Sequence, residues 1–282
     1  MIYEKISGFA DEISEHTDEQ FKALNKLSMN YFEPRCIDGK NISTLTQEET
    51  ALLKEKMNKY GIQVSSIGSP IGKIKLENDF SEHFELFKRV VKIAKALGTK
   101  YIRVFSFYHN SGDIWTAEER VEVISRLKKM ISYAKENDVI LLHENEKDIY
   151  GDTIERCEDL MKELYCDNFK AVFDPANFVQ CKQDTEKAFS VLSPYVEYMH
   201  IKDADKDGNV VPAGMGIGNV EKILKQLKDK GYNGFLSLEP HLGSFTGLAD
   251  LETDDKMTKL EKSSEEKFVL AYNSLVKILK NI

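Results

Sequence analysis

The chain has 282 residues, with 41% hydrophobic residues, 30% charged residues and a formal net charge of −8 at pH 7, a balance typical of soluble globular proteins. The acidic charge and the lack of a long lysine or arginine block argue against a nucleic-acid partner, whose phosphates require a basic surface. No apolar run is long enough for a membrane helix and no signal-peptide pattern follows Met1, so we expect a cytoplasmic protein without a membrane partner.

Short apolar runs alternate with longer segments of helical periodicity, a pattern typical of a parallel sheet built from strand–helix units. The predicted strands are residues 6–9, 31–33, 64–67, 101–105, 139–142, 169–173, 196–201 and 235–238. The predicted helices that follow them are residues 17–27, 46–60, 81–97, 116–137, 153–164, 185–192, 220–230 and 263–279. These units predict an α/β fold, a single-domain (β/α)8 TIM barrel over residues 1–282. The alternative, a doubly wound open sheet, would usually carry a glycine-rich phosphate loop after an early strand, and the sequence has none.

Helix boundaries are indicated by capping signals. A capping residue precedes Glu or Gln by three positions at five helix starts: Thr17 with Gln20, Thr46 with Glu49, Thr116 with Glu119, Asp152 with Glu155, and Ser263 with Glu266. Helix-ending glycines are expected at Gly61, Gly98 and Gly231. The long polar segment at about residues 243–262 precedes the last helix, and in a barrel such a segment is a lid or an oligomer contact.

Four polar residues lie at or just past the ends of the last four predicted strands: Glu144, Asp174, His200 and Glu239. Because parallel strand ends converge around the mouth of a barrel, these side chains can meet at one point. Three carboxylates and one imidazole suit Mn²⁺, Mg²⁺, Co²⁺ or Zn²⁺ and exclude a soft-metal site. Taken singly, each acid could instead be a solvated loop residue, and His200 could be a hydrogen-bonded histidine of the core. Their occurrence on four successive strands favours a metal site.

The segments around these residues resemble the xylose isomerase-like barrel superfamily, in particular the sugar (phosphate) isomerase/epimerase branch related to ketose 3-epimerases and hydroxypyruvate isomerase. The resemblance implies that Glu144, Asp174, His200 and Glu239 bind one divalent metal ion, with Mn²⁺ expected. It also implies that Glu144 and Glu239 form the catalytic acid/base pair, that the substrate is a small sugar or keto-sugar, and that the chain can form a homo-oligomer.

The expected function is therefore a metal-dependent isomerase or epimerase that abstracts a proton next to a carbonyl and proceeds through an enediolate. Six further residues are candidates for substrate binding: Asn177, Lys202, His241, Arg35, Ser106 and Tyr108. Lys202 lies two residues beyond His200, so on a strand it points the same way, into the barrel mouth. Asn177 stands where related epimerases often carry a histidine, a departure from their pattern. Each of the six also has the alternative of an ordinary loop or surface residue.

Three other features are weaker candidates. Glu33 can line the substrate side of the mouth, whereas His143 should point to the opposite face from Glu144 and so have a structural role. The glycine-rich segment 212–219 can place backbone N–H groups near a substrate oxygen or phosphate, or can simply start a helix.

Two alternative functions stay open at this point. The first is a metal-dependent dehydratase or β-elimination lyase that acts on a keto-sugar or cyclitol, since it shares the proton abstraction. The second, from another class, is a non-catalytic barrel that binds a metal and a sugar. The superfamily also contains an endonuclease with three zinc ions, a site that requires many histidines. This chain has six histidines, and His200 alone is in the predicted ligand set, so nuclease activity is not expected.

Overall fold

The computed structural model of the protein describes residues 5–110, 114–244 and 261–282. The barrel strands follow one another along this part of the chain as β1 Ile6–Gly8, β2 Tyr31–Phe32, β3 Gln63–Val64, β4 Tyr101–Val104, β5 Ile140–Glu144, β6 Phe169–Phe173, β7 Val196–Ile201 and β8 Phe235–Leu238. Each overlaps a strand predicted from the sequence, with small differences in the bounds.

The strands close into a barrel. Strands β4, β5, β6, β7, β8 and β1 form one parallel sheet in this order, and β2 pairs in parallel with β3. Two backbone hydrogen bonds join the two sheets: Glu33 N donates to Gly8 O at 2.9 Å, and Arg103 N donates to Ile67 O at 3.0 Å. The predicted TIM barrel is confirmed, and the carboxyl ends of its parallel strands lie at a single mouth.

The helices surround the barrel, where their apolar faces cover the strands. They are α1 Thr17–Lys26, α2 Gln47–Tyr60, α3 Phe80–Leu97, α4 Ala117–Glu136, α5 Ile154–Leu164, α6 Pro175–Gln180, α7 Thr185–Leu192, α8 Val220–Asp229 and α9 Glu265–Asn281. All of the predicted helices are present, and α6 is an addition that is too short to produce a periodic signal in the sequence. In the described part of the chain, no helix is long and apolar enough to cross a membrane.

The capping signals are only partly confirmed. Reciprocal capping boxes are present at Thr46 in α2 and Thr116 in α4. The other three predicted boxes are wrong, because the N-caps of α1, α5 and α9 are His16, Thr153 and Ser264. The predicted helix-ending glycines have the expected left-handed conformation, with φ of 70° at Gly61, 88° at Gly98 and 73° at Gly231.

Two short hairpins extend the loops at the barrel mouth. Cys36–Ile37 pairs with Lys40–Asn41 after β2, and Asp203–Ala204 pairs with Val210–Val211 after β7. Of the long segment predicted at residues 243–262, residues 245–260 lie outside the described part of the chain. Its two ends are adjacent, since Ser244 N donates to Glu261 O at 2.9 Å.

Candidate functional site

Four buried side chains meet at the carboxyl ends of β5 to β8. Glu144 is the last residue of β5, Asp174 follows β6, His200 lies in β7, and Glu239 follows β8. One potential ligand atom from each residue lies within 4.8 Å of those from the other three. The structure thus brings together the four residues that the sequence analysis assigned to a metal site, and we refer to them as the four-residue cluster.

His200 makes direct contacts within this cluster. Its Nδ1 atom lies 2.7 Å from Glu144 Oε1 and 3.4 Å from Glu239 Oε2. Its other ring nitrogen, Nε2, lies 3.4 Å from Glu33 Oε2. Nδ1 is therefore the nitrogen that faces the carboxylates of the cluster.

Local structure holds Asp174 in place. Its Oδ1 caps helix α6 by accepting a hydrogen bond from Asn177 N at 3.0 Å. The side chain of Asn145 donates to Asp174 O and accepts from Asp174 N, both at 3.0 Å. The buried Oδ2 accepts no hydrogen bond from any described residue, although it lies 3.1 Å from Lys202 Nζ. A buried oxygen of this kind, next to two more carboxylates and an imidazole, fits a divalent cation site.

Two buried cations compensate the charge of the carboxylates. Lys202 Nζ lies 2.9 Å from Glu239 Oε2, in addition to its contact with Asp174. Arg103 Nη1 lies 3.2 Å from Glu144 Oε2 and 3.6 Å from Glu239 Oε1. Lys202 therefore points into the barrel mouth, as its spacing from the strand predicted.

Arg103 has capacity for a further partner. Its guanidinium lies 4.9 Å from the ring centre of Phe9 and 5.0 Å from that of Phe105. Its Nε and Nη2 atoms are buried and have no hydrogen-bond partner among residues 5–110, 114–244 and 261–282. These N–H groups are oriented by the packing of the aromatic rings and can donate to an oxygen of a bound molecule.

Burial and neighbouring charges change the acid–base properties of the cluster. Burial raises the pKa of Asp174 to about 8, against the opposing charge of Lys202. Burial favours a higher pKa for Glu239 as well. Nearby positive charges, above all that of Lys202, outweigh burial and hold the pKa of Glu239 well below its usual range. For His200, burial disfavours the charged form. Nearby carboxylates, above all that of Glu144, outweigh burial and hold the pKa of His200 well above its usual value. Asp174 and Glu239 thus have unequal proton affinities, as expected for closely spaced acids.

A second ion-pair group lies beside the cluster, around Arg35. The guanidinium contacts Asp11 Oδ2 through Nε at 2.9 Å and Glu12 Oε1 through Nη2 at 3.2 Å. Its Nη1 lies 3.2 Å from His241 Nε2 and 3.6 Å from Glu239 Oε1. Arg35 and His241, both predicted to bind substrate, are thus placed next to the four-residue cluster.

The other three residues predicted to bind substrate, Asn177, Ser106 and Tyr108, differ in their contacts and in their position relative to the four-residue cluster. Asn177 Nδ2 lies 3.4 Å from Glu144 Oε1, so it borders the cluster. Ser106 is fully buried and its Oγ accepts a hydrogen bond from Gly151 N at 2.8 Å. Tyr108 is half-buried, and its backbone N donates to Ile74 O in the loop after β3. All three assignments stay predictions.

Several charged residues near the site were missed by the sequence analysis. They are Asp11, Glu12, Arg103 and the buried pair of Lys73 and Glu146, whose Nζ and Oε2 atoms are 3.3 Å apart. A signal was available for Arg103, because it is a charged residue between Ile102 and Val104 in an otherwise apolar strand. A charge in such a position is rarely buried unless it is paired.

Two of the weaker sequence candidates, His143 and the glycine-rich segment 212–219, contact other residues of the chain. The ring of His143 lies 6.1 Å from that of Phe169, and burial lowers the pKa of His143 to about 3. In the glycine-rich segment 212–219, the carboxylate of Asp203 accepts hydrogen bonds from the backbone N–H groups of Gly214, Gly216 and Gly218. These N–H groups bind an acid of the chain itself, which organises the loop before α8.

The site can be compared with known proteins. A solved structure of the IOLI protein with bound zinc has 18% sequence identity and a TM-score of 0.76, and the similarity covers 98% of each chain. A D-allulose 3-epimerase from Methylomonas sp. in complex with D-allulose has 16% identity and a TM-score of 0.75, over 99% of this chain and 97% of that chain. No curated protein is significantly similar in sequence.

A third solved structure, of the probable 3-DHS dehydratase AsbF from Bacillus anthracis, has 21% identity and a TM-score of 0.70, over 83% of this chain and 92% of that chain. The identities are low, so these structures support the fold. The family model described as "Xylose isomerase-like TIM barrel" matches residues 21–262. Because this match spans most of the sequence and agrees with the closed barrel described above, the chain belongs to the xylose isomerase-like TIM barrel family.

Proposed function

We propose that the protein is a divalent-metal-dependent sugar isomerase or epimerase that transfers a proton next to a carbonyl group through an enediolate. The observation that carries the proposal is the four-residue cluster, whose potential ligand atoms lie within 4.8 Å of one another at the barrel mouth. Similarity in fold to a D-allulose 3-epimerase supports the reaction class.

Glu144, Asp174, His200 and Glu239 are the residues that would hold the metal ion. Bound there, a divalent ion would supply Lewis-acid polarisation of a carbonyl and a neighbouring hydroxyl. We propose Mn²⁺, while Mg²⁺, Co²⁺ and Zn²⁺ also suit these ligands. Zinc is the ion bound in the similar IOLI structure.

Glu144 and Glu239 are assigned the acid and base roles. Both carboxylates contact His200 Nδ1 and Arg103 Nη1, so they border one small volume from two strands. One glutamate removes a proton from the substrate carbon, and the other returns a proton to the opposite face or to the neighbouring carbon. Lys202, next to Glu239, is placed to stabilise negative charge that develops on a substrate oxygen.

A metal-dependent dehydratase or β-elimination lyase is the second candidate. It is favoured by the similarity in fold to the probable dehydratase AsbF. Such an enzyme would begin with the same proton abstraction and then expel a hydroxyl or glycosyl group from the adjacent carbon.

Hydrogen–deuterium exchange distinguishes these functions. The Mn²⁺-loaded protein is incubated in D₂O with a panel of ketoses, keto-acids and inososes, and the products are freed of protein and metal before NMR. Deuterium next to the carbonyl without loss of water is the expected result. Loss of water would identify a dehydratase, and no exchange across the panel would favour a non-catalytic metal- and sugar-binding barrel.

A further inference from the structure

Glu33 occupies an unusual position for a carboxylate. It follows β2 and is completely buried, as is His200 beside it. Its Oε2 accepts hydrogen bonds from Tyr198 OH at 2.8 Å and from Ser237 Oγ at 2.7 Å. The same oxygen lies 3.4 Å from His200 Nε2. Among the described residues, His200 Nε2 and Glu33 Oε1 are both buried without a hydrogen-bond partner, so His200 Nε2 has no acceptor other than the nearby Glu33 carboxylate.

A buried carboxyl group such as that of Glu33 is costly unless it is paired or hydrogen-bonded. The hydroxyl groups of Tyr198 and Ser237 are neutral. Among the described residues, the imidazole of His200 is the one ion-pair partner of Glu33. Arg35, two residues further along the chain, is directed to Asp11 and Glu12 instead. His200 is therefore the residue that connects Glu33 to the four-residue cluster.

The two nitrogens of His200 face different partners. Nδ1 faces Glu144 and Glu239, and Nε2 faces Glu33. A neutral imidazole has one protonated nitrogen, so a histidine that binds a metal through Nδ1 must carry its proton on Nε2. An acceptor beside Nε2 fixes this tautomer and the orientation of the ring.

The surrounding aromatic rings restrict the imidazole further. Phe9 contacts the His200 ring edge-on at 5.3 Å between centroids, and Tyr198 does so at 5.8 Å. Tyr198 therefore packs against the ring and also holds the carboxylate that faces its Nε2 atom. Tyr198 lies in β7, the strand that also carries His200.

We propose that Glu33 is a positioning residue of the metal site. Its carboxylate accepts a hydrogen bond from the protonated Nε2 of His200, which leaves Nδ1 free to bind a divalent cation. The inference rests on the proposed metal-binding role of the four-residue cluster. In this arrangement Glu33 increases metal affinity through His200 and contacts neither the metal nor the substrate. This role differs from the substrate-facing position that the sequence suggested for Glu33.

Metal affinity tests the inference directly. The variant Glu33→Gln keeps the shape of the side chain and removes its charge. Glu197→Gln is the matched control, because Glu197 is a part-buried carboxylate on β7 that also accepts a hydrogen bond from a tyrosine hydroxyl, that of Tyr101, but is not an ion-pair partner of His200 among the described residues. Equilibrium dialysis against Mn²⁺ should give a dissociation constant about 10- to 100-fold higher for Glu33→Gln and no change for Glu197→Gln.

The outcomes separate this inference from the proposed function. Equal Mn²⁺ affinity in Glu33→Gln and the wild-type protein would overturn the positioning role and leave the metal site intact. A wild-type protein that binds no Mn²⁺ would overturn the metal-dependent function, and the inference with it. A similar loss of affinity in the control variant would show a general effect of carboxylate removal and would also overturn the inference.

A measurement on the wild-type protein covers the case in which Glu33→Gln does not fold. Long-range ¹H–¹⁵N NMR spectra report which nitrogen of a histidine is protonated, and the signals of His200 are identified among those of the six histidines by their loss in a His200→Gln variant. On addition of Zn²⁺, His200 should show a protonated Nε2. A protonated Nδ1 in the Zn²⁺ form would contradict the role assigned to Glu33.

Discussion

His200 Nδ1 lies 2.7 Å from Glu144 Oε1, although the strands that carry them, β7 and β5, are separated in the sheet by β6. The contact is made because the ends of parallel strands converge at the mouth of a closed barrel. The same convergence places the carboxylates of Asp174 and Glu239 within reach of this pair. The barrel therefore concentrates negative charge where a divalent cation would neutralise it.

Metal binding should stabilise the folded protein. At a free Mn²⁺ concentration of about 100 times the dissociation constant, the free energy of unfolding should rise by about 2.7 kcal/mol. Thermal unfolding with and without Mn²⁺ measures this effect, and EDTA should reverse it. Asp174→Asn removes a charged ligand and should abolish most of the increase. An undiminished Mn²⁺ effect in that variant would exclude Asp174 as a ligand.

Removing either acid/base carboxylate should impair turnover strongly. Glu144→Gln and Glu239→Gln should each lower kcat by about 10²- to 10⁴-fold, because an amide cannot accept or return the proton. The measurement is the rate of deuterium incorporation into the substrate found in the exchange panel. A variant that retains the wild-type rate would lose its assigned role, whatever the other variant shows.

Lys202 should matter most for stability when no metal is bound. Its ammonium lies close to both Asp174 and Glu239, so Lys202→Met leaves two buried carboxylates without that partner. The expected loss in the free energy of unfolding is about 3–5 kcal/mol without metal, since an uncompensated buried charge is costly. Saturating Mn²⁺ should reduce the loss, because the cation neutralises the same carboxylates. Urea unfolding in both conditions tests this, and an equal loss in both would contradict it.

Arg35 should contribute substantially to folding. The variant Arg35→Leu leaves Asp11 and Glu12 buried without their partner, and we expect a loss of about 3–5 kcal/mol in the free energy of unfolding. Arg120 provides the control, because its bidentate pair with Asp159 is partly exposed to solvent. For such a pair Arg120→Leu should cost about 1 kcal/mol or less. Similar losses in the two variants, measured by urea unfolding, would refute the difference.

His83 should make the protein less stable in acid. Its Nε2 accepts a hydrogen bond from Gly72 N at 2.8 Å, and burial, together with the charge of Arg126, lowers the pKa of His83 from 6.5 to about 4. Between these values the unfolded chain binds a proton that the folded protein does not. The contribution of neutral His83 to the free energy of unfolding is therefore complete above the pKa of 6.5 in the unfolded chain. It is lost as the pH falls towards the pKa of about 4 in the folded protein.

The variant His83→Gln isolates this effect, because a glutamine can accept the same hydrogen bond without titrating. Between pH 7.5 and pH 5, the wild-type protein should lose about 2 kcal/mol more free energy of unfolding than the variant. Urea unfolding at several pH values provides the comparison. Parallel pH profiles for the two proteins would show that His83 does not contribute.

The barrel could be predicted from the sequence because strand and helix periodicity recurs in every unit. Finer features could not. Helix α6 has six residues and gives no periodic signal. At the starts of α5 and α9, two adjacent residues can each cap the helix, and the structure uses Thr153 and Ser264 in place of Asp152 and Ser263. Local chemistry permits both choices, so the capping residue is known only from the geometry of the folded helix.

For the site, the sequence alone determined which four residues stand at successive strand ends, since strand position in a parallel barrel decides which side chains reach its mouth. Only the tertiary structure decided the partners of the surrounding charges. In the folded chain, Arg35 contacts Asp11 and Glu12. Arg103 packs against two phenylalanine rings, and Glu33 lies next to His200. Long charged side chains have many rotamers of similar energy, and when they are buried their conformation depends on which opposite charges the folded chain brings within reach.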